Sequence, residues 1–381
     1  MAKPRRVETV SPTGIPADPF GSHRSLEPRG SLPQPAERID NDFARLFTGE
    51  LLIGVEMLNI DAASFRQMEE VPAVPAERGG DEGGGELGND PVVARVQETI
   101  RARGKQHNPV TGSGGMLLGR ILQLAPGRTG DTAGVGDRIA TLVSLSLTPL
   151  RIDRVTAVRR ESAQLDVEGE AVLFASGAYA KLPGDIPERL ALAVLDIAGA
   201  APQVARLVRR TVAAAAGKAE VSVLILGAGG KSGVLSAAEV RRTGGASVRI
   251  LGVESHLPFA DELRELGLCD EVIVADATDP LGVRGAVLAA NGGREVDLSL
   301  SCVNVPDTEM SAILPVRERG TAYFFAMGTS FTRAALGAEG VSKDIDLVMG
   351  NGFARGHAEH SLRMMRTMPR IRALFERRYA G

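Results

Sequence analysis

The chain has 381 residues, 44% hydrophobic and 24% charged, with a formal net charge of −3, which suits two domains with ample core and gives no electrostatic case for nucleic-acid binding. It has no Trp and only three Tyr, so platforms for stacking bases are scarce. The two cysteines, Cys269 and Cys302, exclude a disulfide framework and fit a reducing compartment. With no apolar run long enough for a bilayer and no signal-peptide core at the start, a cytoplasmic protein without a membrane partner is expected.

Residues 1–20 carry four prolines and few large apolar groups, the composition of a poorly ordered tail. Residues 21–184 read as a β-rich domain in which "ELLIGVEMLNID", "GGMLLGRILQLAP" and "VGDRIATLVSLS" supply strands and a tight turn. A Gly-rich stretch at 77–89, "ERGGDEGGGELGN", interrupts this domain as a flexible insert. Asp90-Pro91 then starts a helix whose apolar stripe is Val92, Val93, Val96 and Ile100, and Gly104 ends it. From Asp185 to Val212 the pattern is helical, and strands follow at 221–226, 247–253, 271–275, 296–301 and 321–327 with helices between. That alternation predicts an α/β doubly wound parallel sheet over 185–330. The segment 331–381 reads as helical, with Met364, Met365, Met368, Ile371 and Leu374 at core spacing, and is expected to pack back on the first domain.

The stretch 224–233, "LILGAGGKSG", has two readings. A phosphate-binding P-loop needs a glycine five residues before its Gly-Lys, where Ile225 stands inside an apolar strand. A dinucleotide turn fits better, through Gly227, Gly229 and Gly233 or through Gly227, Gly230 and Gly233. A strand precedes it, a helix follows, and the next strand ends in Glu254 about twenty residues further on. Glycines let the backbone approach a pyrophosphate, and the helix N-terminus offers it free N–H groups, with Lys231 and Ser232 within reach. Glu254, followed by Ser255, would accept hydrogen bonds from ribose hydroxyls and repel a 2′-phosphate, which predicts NAD rather than NADP. Asp276, Cys302, Val303, Asn304, Gly328 and Thr329 follow later strands at the same carboxyl edge, where ligands bind in doubly wound sheets.

The "GMLLGRILQLAPG" and "GDRIA" segments followed by a Rossmann domain resemble the medium-chain dehydrogenase/reductase superfamily. "GSHRSLEPRGSLPQPAERIDND", "VEMLNIDAASF", "NPVTGSGGMLLG" and "ATLVSLSLTPL" are similar to one branch, the L-erythro-3,5-diaminohexanoate dehydrogenases. The resemblance implies a GroES-like catalytic domain beside an NAD-binding Rossmann domain, a homodimer, and a role in lysine fermentation. It implies oxidative deamination of the diamino acid at C3 to 5-amino-3-oxohexanoate, ammonia and NADH. A zinc-independent quinone or enoyl reductase, and a non-catalytic dinucleotide sensor, are the alternatives. Zinc enzymes of the superfamily carry a cysteine in the first loop and a Gly-His-Glu motif. This chain has Asn59-Ile60-Asp61 and Gly112-Ser113-Gly114-Gly115 there, so zinc independence is expected.

Oxidising an amine needs a neutral amine and a base to take its proton. Glu56 and Asp61 are the candidates, as base or as ammonium ligands. His107, Ser64, Thr111 and Ser113 are the other candidate catalytic residues, and Ser144 and Thr148 are further polar groups nearby. Arg24, Arg29 or Arg66 could pair with the substrate carboxylate. His23 has no assignable step, and His256 lies beside the adenosine end or on a surface loop. His357 and His360, near Glu359, read as a solvated helix face more readily than as a metal pair.

Overall fold

The computed structural model describes residues 4–70, 90–108, 112, 114–128, 132–215 and 220–380, without the side chains of Ala62, Ala63, Arg66 and Glu70. The insert at 77–89, Thr111, Ser113 and the Arg66 side chain therefore lie outside the described residues. Two compact units divide at Leu192/Ala193.

The first unit holds strands β1 (Arg6–Glu8), β2 (Ser25–Glu27), β3 (Arg38–Ile39), β4 (Arg45–Phe47), β5 (Leu51–Asn59), β6 (Met116–Leu124), β7 (Arg138–Thr141), β8 (Leu150–Arg159), β9 (Gln164–Leu173) and β10 (Tyr179–Lys181). Six of them form an antiparallel sheet in the order β10-β7-β6-β5-β9-β8. Alternation on β5 sends Leu51, Ile53 and Val55 into one core with Leu117, Ile121 and Leu165, and Leu52 into a second with Phe43, Leu46 and Phe174. The helix Pro91–Arg103 follows the sequence reading closely. Asp90 Oδ1 accepts the Val92 N–H at 2.9 Å, the four predicted residues are buried, and Gly104 closes the helix in the left-handed region at φ +72°.

The first twenty residues depart from expectation. β1 pairs in parallel with β4, the Arg5 backbone N–H donates to Gln123 at 2.7 Å, and Asp18 accepts the N–H groups of Phe20 and Gly21. Proline removes helical periodicity here without removing the partners that hold an extended chain.

The second unit carries β11 (Val221–Leu226), β12 (Val248–Glu254), β13 (Glu271–Val274), β14 (Val296–Ser301), β15 (Val316–Phe324) and β16 (Asp346–Met349), all parallel, in the order β13-β12-β11-β14-β15-β16. Every residue of β11 is buried. Val223 and Ile225 pack with Val204, Val208 and Val240, while Leu224 and Leu226 pack with Val283, Val287 and Ala312. The continuous apolar run is thus a strand covered on both faces. Chain order reverses between β11 and β14, so the carboxyl ends of these strands form the topological switch point.

One expectation for the later chain is corrected. The segment 331–381 is not wholly helical, since β16 is a short, half-exposed sixth strand that four residues of pattern could not announce. Its last helices, His357–Thr367 and Pro369–Tyr379, belong to the second unit. Ser361 Oγ donates to Ala198 O at 2.9 Å, His360 Nε2 lies 3.1 Å from Glu239 Oε2, and Arg378 donates to Gly229 O at 2.6 Å. Among the described residues, no single helix is long and apolar enough to cross a membrane.

Candidate active site

The glycine turn assigns a different task to each glycine. Gly227 takes φ +69°, and its N–H and that of Ala228 both reach Val253 O. A Cβ on Gly233 would sit 2.1 Å from Gly227 O, so a glycine is required for the helix to lie this close to the turn. A Cβ on Gly229 would sit 2.8 Å from both Glu254 Oε2 and Phe259 Cβ. Gly230 is the freest of the four, for its Cβ would meet only Gly227 O, at 3.4 Å. Internal sterics therefore demand Gly227, Gly229 and Gly233, while Gly230 leaves room over the N-terminus of the helix Lys231–Gly244. Among the described residues no side chain caps that helix. Its first-turn N–H groups are available to an anion, and this cradle fits the pyrophosphate of a dinucleotide.

Glu254 is buried, and its carboxylate spans two turns: Oε2 accepts the Gly229 N–H at 3.0 Å and Oε1 accepts the His256 N–H at 3.0 Å. Each oxygen keeps further acceptor capacity for a ribose hydroxyl. Ser255 and His256 are exposed, and the His256 ring packs edge-on against Phe259. Lys231 points elsewhere than expected. Its ammonium lies 3.1 Å from Asp196 and over the Tyr379 ring. Burial opposes that charge, but Asp196 and then Tyr379 hold the lysine above its ordinary value.

Register alignment brings the remaining cofactor candidates to one edge, because Leu226 pairs with Val253 and Ser301, and Ser301 pairs with Phe324. Asn304 Oδ1 accepts the Gly328 N–H at 2.9 Å, tying the loop after β14 to the loop that holds Thr329. Val303 touches the turn itself, its Cγ2 lying 3.0 Å from where a Cβ on Gly227 would sit. Asp276 is exposed and closes its own turn through the Thr278 N–H at 2.8 Å. Burial pushes the Cys302 thiol up to about 11 against weak bonds from Ser236 and Ser232, so it is a packing group at neutral pH.

In the first unit, Asp61 caps the helix Ala62–Glu70. Its Oδ1 accepts the Ser64 N–H at 2.9 Å and its Oδ2 accepts the Ser64 hydroxyl at 2.5 Å. Asn108 Nδ2 donates to that same Ser64 Oγ at 2.6 Å and to Gln67 Oε1 at 3.1 Å. The result is a directed chain from the Asn108 amide to the Ser64 hydroxyl to the Asp61 carboxylate, with Ser64 and Asn108 buried. Asn108 opens the stretch "NPVTGSGGMLLG" next to His107, and its residue type alone does not mark it as part of this chain. His107 adjoins the chain, and its Nδ1 is buried with no hydrogen-bond partner among the described residues. Burial, with Lys105 and Arg103 nearby, lowers its pKa and keeps the ring neutral. Lys105 is itself buried, donates to Pro33 O and Gln34 O, and is pushed down to about 8 by burial and by Arg103.

Glu56 does not join this network. It is half-exposed and engaged by Arg138 at 2.9 Å and Arg120 at 3.7 Å. Ser144 supports the neighbouring loop, accepting the Gly114 N–H at 3.1 Å, and Thr148 donates back to Ser144 O. A Cβ on Gly114 would lie 2.4 Å from Gln106 O, and one on Gly115 would lie 2.0 Å from Asn59 O. No metal-ligating side chain fits at either position, so this donor set does not suit zinc.

The remaining candidates have structural duties. Arg24 is fully buried, bonded through Nε to Glu50 at 2.6 Å and through Nη2 at 2.8 Å, and His23 Nε2 lies 3.0 Å from the same carboxylate. The His357/His360 reading is corrected as well. His357 is buried beside Phe353 and His360 pairs with the buried Glu239, so they neither face solvent together nor make a metal pair.

Comparison with known proteins now bears on this geometry. The family described as "L-erythro-3,5-diaminohexanoate dehydrogenase N-terminal domain" matches residues 23–183. L-erythro-3,5-diaminohexanoate dehydrogenase of Acetoanaerobium sticklandii is 48% identical over 363 residues, covering 94% of this chain and 98% of the relative. The chain belongs to the L-erythro-3,5-diaminohexanoate dehydrogenase family. The Fusobacterium nucleatum relative of the same name is 47% identical over 361 residues, 94% of this chain and 98% of its own. This family member is therefore a dehydrogenase, an oxidoreductase. Among solved structures, CurK enoyl reductase aligns at TM-score 0.50 and 12% identity over 84% of this chain and 79% of its own. A mycobacterial protein, Rv1454c, complexed with NADPH aligns at TM-score 0.50 and 15% identity over 84% and 81%. At such identities the likeness shows the fold, a Rossmann-type domain with a GroES-like one.

Proposed function

We propose that the enzyme oxidatively deaminates L-erythro-3,5-diaminohexanoate at C3 with NAD and water, giving 5-amino-3-oxohexanoate, ammonium and NADH. The observation that carries this reading is 48% identity across nearly the whole chain to a relative of that name. Glu254 supports NAD within the nicotinamide class, since a buried carboxylate opposes a second negative charge. The first-turn N–H groups of the helix Lys231–Gly244 would hold the pyrophosphate, and Asn304 with Gly328 would border the nicotinamide. When bound, the nicotinamide supplies the hydride acceptor.

The chain's own residues then handle protons. The C3 ammonium must lose one before its lone pair can drive oxidation, and Asp61 is the base in this reading. Both its oxygens are oriented by Ser64, and each keeps acceptor capacity toward an ammonium. Asn108 fixes the Ser64 hydroxyl toward Asp61, so the carboxylate is presented in one geometry. Asp61 then gives that proton to solvent. Water attacks the oxidised carbon, and the carboxylate takes a proton from it and passes it to the carbinolamine nitrogen. The nitrogen leaves as ammonia while the hydroxyl proton goes to solvent. By the same family likeness, the enzyme would serve lysine fermentation in the cytoplasm as a homodimer.

Glu254→Gln keeps an acceptor for the Gly229 N–H while removing the charge. It is expected to narrow the preference for NAD over NADP by about tenfold or more, the worth of about 1.4 kcal/mol. Steady-state kinetics with both cofactors measures this. An unchanged ratio would remove Glu254 as the selecting residue.

A further inference from the structure

The substrate carboxylate needs a cation, and the sequence candidates do not supply one well. Arg24 is spent on Glu50 and Asp40, Arg29 is exposed, and the side chain of Arg66 lies outside the described residues. A pocket of about 220 Å³ lies between the helix Pro91–Arg103, the helix Ala62–Glu70 and the loop after Gly104. Arg95, Arg103, His107, Asn108, Gln67 and Met68 line it, and among the described residues no carboxylate does. Arg103 makes no ion pair or hydrogen bond among the described residues. Among the described residues Arg95 has only Glu98, at 4.0 Å. The pocket also borders the proton chain, because Asn108 lines it while donating to Ser64, and Ser64 donates to Asp61.

We propose that Arg103, assisted by Arg95, binds the carboxylate of the amino-acid substrate in this pocket, which directs the C3 amine toward Asp61. The proposal rests on the deaminase reading for the identity of the substrate. It follows from charge complementarity. A pocket with two guanidinium groups lacking strong partners, and with no acid among its described lining residues, suits a planar anion, which arginine grips in a fork. A bland duty competes with it, since Arg103 stands in the last turn of its helix and suits the helix dipole there. That duty would make Arg103 a stability residue, indifferent to the charge on the substrate.

The test compares the full-length enzyme and Arg103→Ala with NAD on two substrates, 3,5-diaminohexanoate and its neutral primary amide. Wild type is expected to favour the acid by about 10- to 100-fold in kcat/KM, the worth of a charge-assisted bond. Arg103→Ala is expected to lose that factor on the acid alone, through KM, and to treat the two substrates nearly alike. Arg103→Lys should restore part of it. Undiminished discrimination in Arg103→Ala, whether or not its melting temperature falls, would overturn the proposal. A wild type that turns over neither substrate counts against the deaminase reading, and the pocket is then judged by calorimetry with 3-aminobutanoate. Binding at least about tenfold weaker in Arg103→Ala supports the carboxylate site. Equal binding, or none by wild type, overturns it.

Discussion

Replacing Glu50 by alanine is expected to destabilise the first unit by about 3–5 kcal/mol, the cost of leaving a buried charge without its partner. Arg24 and Glu50 are 0% and 1% exposed, and His23 closes the cluster at 1%. Burial alone would raise the Glu50 carboxyl, but the paired bonds from Arg24, then His23 and the Phe47 N–H, hold it below its ordinary 4.5. Removing the carboxylate leaves the guanidinium among Phe43 and Phe47 with only Asp40 and backbone carbonyls as acceptors. The sign of the pH dependence follows from the lowered value. The stabilisation is complete above the unfolded pKa near 4.5 and is lost as the pH falls through the folded one. Chemical denaturation of wild type and Glu50→Gln from pH 7 to pH 3 checks this. Wild type should lose stability below pH 4.5 and the variant, already weaker at pH 7, should lose less. The double replacement Arg24→Met with Glu50→Leu is expected to recover much of the loss, because the charge and its partner leave together.

Asp61→Asn is expected to lower kcat by about 10²- to 10⁴-fold, the range for losing a general base, with the dissociation constant for NAD unchanged. The fold should survive, because asparagine caps a helix about as well as aspartate does. What changes is the hydroxyl of Ser64, which now receives from Asn108 and must find a new acceptor. Ser64→Ala should cost less, since it misplaces the carboxylate without removing it. Glu56→Gln should stay within about threefold of wild type, as its half-exposed carboxylate serves an ion-pair cluster. Pre-steady-state kinetics on the three variants separates these cases. An Asp61→Asn enzyme at wild-type rate would remove Asp61 as the base.

Periodicity and turn chemistry made much of this molecule readable. β11 matches its predicted span 221–226, and the Asp90 cap and Gly104 stop were both readable from residue type. The glycine turn was readable as a class, but the choice between Gly229 and Gly230 needed the Glu254 and Phe259 contacts, which are set by tertiary packing. β16 was missed because a four-residue edge strand carries almost no pattern. The chemistry was harder to read than the fold. Asp61 and Ser64 were legible because one short loop holds both, whereas Asn108 reaches them from 44 residues away, a distance no spacing rule covers. Glu56 drew attention by proximity in sequence, yet strand alternation carries it to Arg138, out of the network. Arg24 read as a free cation because nothing in "GSHRSLEP" announces Glu50 as its partner.

The central claim is hydride removal from C3 coupled to ammonia release. We would supply 3,5-diaminohexanoate deuterated at C3 with NAD and follow nicotinamide reduction, ammonia and the label together. The account predicts one deuterium on the reduced nicotinamide for each ammonia released, and a slower rate than with the unlabelled substrate. Reduced cofactor without deuterium, or without matching ammonia, would contradict it.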